Sequence, residues 1–374
     1  MTTTDLIELS AELVRIPSHE DPTEAGDYIE NWLEDNTSSS IKRDEVGNVF
    51  AKIGSGSQQL AFIGHHDVVP PSGSQTRNDA YTIEQKNGRL YGRGTADMKG
   101  ALAAFLLAFQ TLDENHQQQL SQSNLEVIFG SFVGEETGGE GARHAIKNGF
   151  SPTYAVVGEG TTNYSGNNVT DIAVAHKGRR ALTITANGKS AHASVPEQGD
   201  NALIHGANVI KSLESVEPPT VTVAGEQLHG SIVPTKIRGG ETWNVIPDAC
   251  DITVDERTVP GERVDLEAKL STLPVDITID QDLPPMQCDD PKFANIVQQA
   301  ATKAQSTSPK LVVKPHATDA GWLADNGVTC VICGPAESGE AHTDTESVSI
   351  DVLERCQRIY ENIVKQMIAD ETCI

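Results

Sequence analysis

The stretch LAFIGHHD, residues 60–67, joins an apolar run typical of a β-strand to two histidines and an aspartate. Each of four further segments with acidic or histidine side chains is also expected to follow a strand: GTADMKG (94–100), GEETG (134–138), GEGT (158–161) and EAH (340–342). Together the five segments offer ligands for two metal ions, with one carboxylate left over as a base. The pattern predicts a metal-dependent hydrolase.

The order of these segments predicts an α/β fold built on a mixed sheet. Apolar runs at 60–63, 125–133 and 155–157 are typical of strands, and they alternate with helical patterns at 98–112 and 142–148. In such sheets, ligands bind at the carboxyl ends of the strands. The candidate metal residues lie at such ends, so we expect them to converge on one site.

A change in sequence pattern predicts two domains. The chain has 374 residues, which is longer than one ordinary compact core needs. Alternating strand patterns begin near residue 178, and a proline-rich connector follows at 283–285. We expect a catalytic metal-binding domain formed by residues 1–177 and 286–374, and an inserted α+β domain formed by residues 178–285.

The charge of the chain excludes one class of partner. There are 53 acidic and 28 basic residues, and the formal net charge is −25. Nucleic-acid binding needs basic patches, so we expect no nucleic-acid partner. The chain is either an ordinary acidic protein or a halophilic one, in which salt screens the repulsion between surface carboxylates. We favour the halophilic interpretation because the acidic excess goes well beyond what solubility requires.

Salt adaptation predicts that folding and activity need molar salt, because unscreened carboxylates would repel one another in dilute buffer. Thermal unfolding followed in dilute buffer and at molar salt tests this expectation. Full stability in dilute buffer would refute it.

The sequence contains no recognisable membrane or secretion signal. The longest apolar stretch, near 98–109, is too short and too rich in alanine to span a bilayer, and residues 1–10 lack a basic region followed by an apolar core. We therefore expect a cytoplasmic protein without a membrane partner. Six cysteines lie in the last third of the chain, and without a secretion signal we expect them to be free.

The first candidate ligands are a histidine and an aspartate two residues apart. His65 and Asp67 point the same way from a strand end, so we assign His65 as a metal ligand and Asp67 as the residue that orients its imidazole. His66 points to the opposite face and is expected to be packed or solvated. Asp97 stands between a glycine-rich turn and a helix, where it can bridge two cations about 3.5–4 Å apart. The competing carboxylate, Asp79, lies in a polar loop.

The adjacent pair Glu135 and Glu136 follows an apolar strand, and its side chains diverge. One of them can bind metal while the other takes a proton from the attacking water and gives it to the departing amine. Glu159 also follows a strand, and His342 would supply a nitrogen ligand to the second metal. One histidine and one carboxylate for each metal, with Asp97 shared, leaves the open coordination of a catalytic site.

These motifs resemble the M20 family of metallopeptidases and N-acyl amino acid deacylases, which includes acetylornithine deacetylase, succinyl-diaminopimelate desuccinylase and glutamate carboxypeptidase. The likeness covers nearly the whole chain, in the same order. It is carried by GHHDVVP (64–70), GRGTADMKG (92–100), GEETGG (134–139), VVGEG (156–160), GKSAHASVPEQGDNA (188–202), NVIPDACDITVDER (244–257) and AHTDTE (341–346).

The resemblance implies a zinc-peptidase catalytic domain with two divalent ions, zinc being the first choice and cobalt or manganese alternatives. It implies that one ion takes His65, Asp97 and Glu159, and that the other takes Asp97, Glu136 and His342. Glu135 would be the general acid and base. The Asp97–Met98 peptide would be cis.

The resemblance also implies a role for the inserted domain, as a lid that forms a homodimer through a sheet edge and a helix. His192 would reach the site of the partner subunit and stabilise the oxyanion. Asn244 and Arg257 would hold the substrate carboxylate, a task that suits the bidentate fork of arginine. Thr318, Asp319 and Ala320, together with Gly334, match a loop on the substrate side.

Three positions depart from the family pattern. Gly134 stands where an aspartate is common, Gly160 where a proline is common, and Ala317 where a glycine is usual. None of them is a candidate metal ligand, so they bear on the identity of the substrate more than on catalysis.

The sequence therefore predicts a dinuclear-zinc amide hydrolase that removes the acyl group from an N-acyl amino acid, of the acetylornithine deacetylase or succinyl-diaminopimelate desuccinylase type, in amino-acid biosynthesis. An M20 dipeptidase, tripeptidase or carboxypeptidase is the alternative. A binding protein that has lost its chemistry would have damaged ligands, yet Glu135 and the ligand set are intact. A single-metal enzyme would not need both Asp97 and His342.

Overall fold

A computed structural model describes residues 2–78 and 80–370 of the chain. Asp79 and Cys373 lie outside the described residues. The chain divides into two compact units. Unit 1 comprises Met1–Ala175, Gln287–Val313 and Thr318–Ile374, and unit 2 comprises His176–Met286 and Lys314–Ala317.

The helices begin and end at recognisable signals. Thr2 and Asp5 form a reciprocal capping box at the first helix, and Asp290 caps a later helix that opens on Pro291. The helices are α1 (Thr3–Arg15), α2 (Thr23–Asn36), α3 (Lys99–Gln122), α4 (Glu140–Lys147), α5 (Ala202–Glu214), α6 (Leu266–Leu270), α7 (Pro291–Ala304), α8 (Asp319–Asp325) and α9 (Ile350–Ala369), with a 3₁₀ turn at Pro196–Gln198.

The strands alternate with these helices in unit 1 and follow one another more closely in unit 2. They are β1 (Ser40–Arg43), β2 (Val49–Gly54), β3 (Gln58–His65), β4 (Thr76–Arg77), β5 (Ala80–Tyr81), β6 (Glu84–Lys86), β7 (Arg89–Tyr91), β8 (Leu125–Phe132), β9 (Tyr154–Val157), β10 (Ile172–His176), β11 (Gly178–Asn187), β12 (Ala191–His192), β13 (Thr220–Val223), β14 (Glu226–His229), β15 (Ser231–Gly239), β16 (Val245–Ile246), β17 (Ala249–Thr258), β18 (Val275–Leu283), β19 (Met286–Gln287), β20 (Leu311–Lys314), β21 (Thr329–Ile332) and β22 (Ser347–Ser349).

A mixed sheet forms the centre of unit 1. Its strand order is β1-β2-β8-β3-β9-β21-β10-β19, and β20 pairs with β10. The central strands β8, β3, β9 and β21 are parallel, whereas β1, β2 and β10 pair antiparallel. Residues 60–65 of β3 are buried on both faces, as expected for a central strand covered by helices. The predicted α/β fold with a mixed sheet is confirmed.

Helices α3 and α9 cover the sheet through an aromatic cluster. The rings of Phe62, Phe105 and Tyr360 lie 4.3–5.6 Å apart between centroids. The Tyr360 hydroxyl donates to the carbonyl of Cys333 at 2.9 Å, so this buried side chain has its polar atom satisfied. The cluster ties α3, which begins next to Asp97, to the centre of the sheet.

Unit 2 is built on an antiparallel sheet of order β15-β17-β11-β18. Opposite residues such as Ile184 and Ile252 point to the same buried face, and α5 packs there through Val209 and Leu213. The large apolar side chains that stay exposed among the described residues all belong to this unit: Leu203, Ile204, Val233, Ile237, Trp243, Val245 and Ile279.

The cysteines and the helices bear on the expectations about disulfides and membrane spans. The five cysteines at described positions, Cys250, Cys288, Cys330, Cys333 and Cys356, are free. Within residues 2–78 and 80–370, none of the helices combines the length and apolar content that crossing a bilayer requires.

Candidate metal centre

The predicted metal ligands meet at one edge of the unit 1 sheet. Strands β8, β3 and β9 are adjacent and parallel, so their carboxyl ends lie side by side. The ligand atoms form two groups, and within each group they lie within 4.8 Å of one another: His65, Asp97 and Glu159 in the first ligand group, and Asp97, Glu136 and His342 in the second ligand group.

Two of the five segments do not directly follow a strand, contrary to the expectation from sequence. Asp97 follows the short strand β7 through a turn and precedes α3. His342 lies in a loop well beyond the end of β21 at Ile332. Apolar runs identify ligands at strand ends, whereas these two ligands are placed by hydrogen bonds between loops.

Asp97 lies between the two ligand groups. Its Oδ1 is 3.2 Å from Nε2 of His65, and its Oδ2 is 3.1 Å from Nε2 of His342. Nε2 of His65 is also 3.5 Å from Oε1 of Glu159, and Nε2 of His342 is 3.0 Å from Oε1 of Glu136. Each oxygen of Asp97 therefore faces a different histidine, as a carboxylate that bridges two cations must.

The donor set fits two divalent ions. Each ligand group offers one imidazole nitrogen and two carboxylates, which suits zinc, cobalt or manganese. Burial opposes ionisation of Asp97, but hydrogen bonds from His342 and His65 outweigh it and hold the Asp97 pKa below its usual range. The Asp97 carboxylate is therefore ionised at neutral pH. The predicted cis peptide at Asp97–Met98 is present.

Asp67 contacts both His65 and the loop that carries Glu135 and Glu136. Its backbone oxygen lies 3.0 Å from Nδ1 of His65, and its Oδ1 lies 3.5 Å from the same atom. The Asp67 carboxylate also accepts the backbone N–H groups of Glu135 at 3.3 Å and of Glu136 at 3.1 Å. One aspartate thus contacts the imidazole of a candidate ligand and anchors the loop that holds both glutamates.

His66 faces away from the ligand groups. It is fully buried, and its Nδ1 lies 2.8 Å from the Ser131 hydroxyl. Burial lowers the pKa of His66 to about 3, so the ring is neutral at physiological pH. His66 is the packed histidine that alternation along β3 predicts.

Glu135 stands close to the first ligand group without belonging to it. Its Oε2 lies 4.0 Å from Nε2 of His65. Burial raises the pKa of Glu135 well above its usual range, and the nearby Asp319 and Glu159 carboxylates act in the same direction. A carboxyl group with a raised pKa can accept and return a proton near neutral pH.

Thr318 and Gly334, predicted on the substrate side, both have structural contacts. The Thr318 hydroxyl caps α8 by accepting the N–H of Ala320 at 3.2 Å. A Cβ added at Gly334 would lie 1.8 Å from the carbonyl oxygen of Gly158, so only glycine allows this approach. Gly334 therefore packs against the residues that lead into Glu159.

The predicted oxyanion residue His192 and the predicted substrate-binding residues Asn244 and Arg257 lie in unit 2. His192 of β12 pairs with Val245 of β16, and Asn244 accepts the N–H of Ala193 at 2.9 Å. The structure thus places His192 and Asn244 side by side. The guanidinium of Arg257 is paired with Asp255, with its Nε 2.7 Å from Oδ1 and its Nη2 3.2 Å from Oδ2.

Sequence reasoning assigned no role to two buried ionisable residues, Lys99 and Glu346, and it placed a third, Asp319, only in a loop on the substrate side. Both oxygens of Asp319 lack a hydrogen-bond partner, and burial raises its pKa to about 7. Lys99 gives a sequence signal, a lysine at the start of an apolar helix. Glu346 ends the AHTDTE motif, but its contacts are with a distant turn and leave no local pattern.

Lys99 predicts a distinct pH dependence of stability. Its Nζ donates to the carbonyl of Ile16 at 2.6 Å, and burial lowers its pKa from 10.5 to about 7. Between these values the unfolded chain binds more protons than the folded one, so the free energy of unfolding rises with pH. This contribution is complete above the unfolded pKa and is lost as pH falls through the folded one.

We therefore expect the stability of the wild type relative to Lys99→Met to rise by up to about 1.4 kcal/mol per pH unit between about pH 7 and pH 10. Urea unfolding of both proteins across this range measures the difference. Parallel stability profiles would show that the ammonium group is not held in this environment.

Comparison with known proteins agrees with this architecture. The family model described as Peptidase family M20/M25/M40 matches residues 61–366. A probable succinyl-diaminopimelate desuccinylase of Staphylococcus epidermidis is 28% identical over 404 residues, covering 96% of this chain and 97% of that protein. An acetylornithine deacetylase of Vibrio atlanticus is 30% identical over 330 residues, covering 82% of this chain and 81% of that protein.

The fold also matches a solved structure. An aminopeptidase of Bacillus cereus superposes with a TM-score of 0.78 at 20% sequence identity, covering 99% of this chain and 100% of that one. At this identity the likeness shows the fold alone. The family match over most of the chain shows more: the chain belongs to Peptidase family M20/M25/M40 and is a metal-dependent hydrolase of amide bonds.

Proposed function

We propose that the protein removes the acyl group from an N-acyl amino acid and uses two divalent ions, with zinc as the first choice. The observation that carries this proposal is the pair of ligand groups sharing Asp97, with Glu135 next to them and in neither. The relatives named as a deacetylase and a desuccinylase align over most of their own length, which favours deacylation.

In this proposal the ions are held by His65, Asp97 and Glu159 on one side and by Asp97, Glu136 and His342 on the other. Ions in these positions would polarise the scissile carbonyl and lower the pKa of the attacking water. Asp97, which belongs to both ligand groups, would be shared by the two ions.

Glu135 would carry the proton. It accepts a proton from the attacking water and returns it to the departing amine. Its backbone is held by Asp67 and by a tight turn, in which Gly138 donates to the Glu135 carbonyl at 3.0 Å and Gly139 donates to that of Gly134 at 2.8 Å. This support fixes the carboxyl group while it changes protonation state.

Hydrolysis of a small substrate panel tests the function. The protein, loaded with zinc or cobalt at high salt, would receive N-acetylornithine, N-succinyl-diaminopimelate, other N-acyl amino acids and several dipeptides, with released amine as the readout. A clear preference for one N-acyl amino acid is the expected result. Cleavage of peptides alone would overturn deacylation in favour of peptidase activity. Silence across the panel with two metals bound would also contradict the proposed substrate class.

We also propose a homodimer formed through unit 2. Leu203 and Ile204 of α5 and Val233 and Ile237 of the edge strand β15 are exposed, and a Cβ added at Gly239 of β15 would lie 2.9 Å from Leu203. Leu203, Ile204 and Ile237 form the apolar edge patch, whereas Val233 is opposite Asp255 and faces the other side of the sheet. An open sheet edge beside exposed apolar side chains is typical of a surface that pairs with another chain.

Charge placed in the apolar edge patch should separate the subunits. We expect Ile204→Glu and Ile237→Glu to be monomers in light scattering, because burying a carboxylate in an apolar interface is unfavourable. Ile279→Glu is the control, since Ile279 is exposed on the opposite edge strand β18. A monomeric wild type, or dimeric patch variants, would contradict this interface.

A further inference from the structure

The side chain of Glu346 is hydrogen-bonded to the turn that carries Asp97. Its Oε1 accepts three backbone N–H groups, those of Gly94 at 2.9 Å, Ala96 at 2.9 Å and Asp97 at 3.1 Å. Its own carbonyl accepts the N–H of Gly92 at 3.0 Å. Converging backbone donors of this kind hold a carboxylate firmly, and the carboxylate in turn fixes the path of the backbone.

The second oxygen of Glu346 forms a buried ion pair with Arg93. Both residues are nearly inaccessible, at 1% exposure for Glu346 and 3% for Arg93. A buried ion pair contributes little net stability compared with apolar residues of similar volume. The pair is therefore better explained by the geometry that it imposes on the turn than by stability.

Glu346 also belongs to the segment that carries His342, four residues earlier in the chain. His342 has a positive φ of 62°, an uncommon conformation for this residue type that needs support from its surroundings. The turn around His342 is closed by the N–H of Thr343, which donates to the Glu340 carbonyl at 3.4 Å. The Thr343 carbonyl in turn accepts the N–H of Glu346 at 3.4 Å and the side-chain amide of Gln75 at 3.0 Å. Glu346 is the end of this segment that is fixed to the Asp97 turn.

We infer that Glu346 is a positioning residue that fixes Asp97 and His342 relative to each other and thereby sets the affinity of the second ligand group for its ion. The inference rests on the proposed two-metal site. It explains how two ligands from loops, 245 positions apart in sequence numbering, come to face each other with Oδ2 of Asp97 3.1 Å from Nε2 of His342. Replacing a residue that hydrogen-bonds to a metal ligand typically lowers metal affinity about 10–100-fold.

Zinc binding to the metal-free protein tests this role without using activity. Glu346→Gln keeps the size of the side chain but replaces the carboxylate that pairs with Arg93 by a neutral amide. We therefore expect weaker hydrogen bonds to the backbone of the Asp97 turn. We expect the wild type to bind two zinc ions per chain, and we expect the variant to need about 10–100-fold more free zinc to fill the second position. Circular dichroism and thermal unfolding establish that the compared proteins are folded.

Glu337→Gln is the matched control. Glu337 is a carboxylate of the same segment and forms a bidentate pair with Arg89 at 2.6 and 3.0 Å, but the hydrogen bonds of its side chain do not reach the Asp97 turn. It should bind two zinc ions like the wild type. If both variants lose zinc equally, general loosening of the segment replaces the specific role of Glu346.

Glu346→Asp, with a shorter side chain, provides a second test if Glu346→Gln does not fold. Glu346→Asp keeps the charge but cannot reach the turn and Arg93 together, so we expect it to weaken the second zinc as well. Wild-type zinc affinity in a folded Glu346→Gln or Glu346→Asp protein overturns the inference. A wild type that binds fewer than two zinc ions instead overturns the proposed metal centre, so the two failures are distinguishable.

Discussion

Replacing Glu135 with glutamine should lower kcat by about 10²–10⁴-fold, the range that a positioned general base contributes. The amide cannot accept the proton of the attacking water or return it to the amine. Because Glu135 lies in neither ligand group, the metal content should stay at the wild-type level. Steady-state kinetics and metal analysis of the same preparation measure both quantities.

The exposed residue Glu140, in the first turn of α4, offers a control. Glu140→Gln removes a carboxylate of the same stretch and should leave turnover unchanged. Normal turnover of Glu135→Gln would remove Glu135 from the mechanism. A loss of metal together with activity would place it among the ligands instead.

The Glu135→Gln variant also tests the predicted action of His192 on the partner subunit. Mixed dimers of Glu135→Gln with His192→Ala chains contain one site with both groups intact. Subunit exchange should therefore restore part of the activity that each variant lacks. Absence of rescue in verified mixed dimers would confine His192 to its own subunit or remove it from catalysis.

Gly334→Ala should destabilise the protein by about 3 kcal/mol or more, at the upper end of the cost of overpacking. The added methyl group would lie 1.8 Å from the Gly158 oxygen and 2.5 Å from the Glu159 oxygen. Both contacts are with backbone at the end of β9, which cannot move without moving Glu159. Metal affinity should therefore fall together with stability, and urea unfolding and zinc binding measure the two effects.

Gly73→Ala is the matched substitution, because a Cβ at Gly73 meets no atom within 4 Å. It should change stability by no more than about 0.5 kcal/mol. A Gly334→Ala protein with wild-type stability and a raised KM would instead support the substrate-side role that the sequence predicts for Gly334.

Local sequence patterns predicted the parts of the site that depend on strands. Apolar runs identified β3, β8 and β9, and parallel neighbours necessarily present His65, Glu136 and Glu159 at one edge. Alternation along a strand also separated the candidate ligand His65 from the packed His66.

The positions of site residues that lie in loops were harder to predict from the sequence. His342 is placed by the contacts of a loop with no strand directly before it, and Glu346 acts through three backbone groups about 250 positions away. Such hydrogen bonds leave no periodic signal in the chain. The resemblance placed Asp319 in a loop on the substrate side, but its burial beside other carboxylates is created only by folding.

The position of Asp97 in both ligand groups has a consequence for how the proposed metal centre assembles. One oxygen faces His65 and the other faces His342, so neither ligand group is complete without the same side chain. In the proposed two-metal site, an ion in one group would neutralise part of the charge of the carboxylate that the other group needs. Thermodynamic linkage then requires the first ion to alter the affinity for the second by the same factor as the second alters the affinity for the first. The order in which the two proposed ions are loaded or removed therefore leaves the total binding free energy unchanged, whereas loss of the Asp97 carboxylate should weaken both.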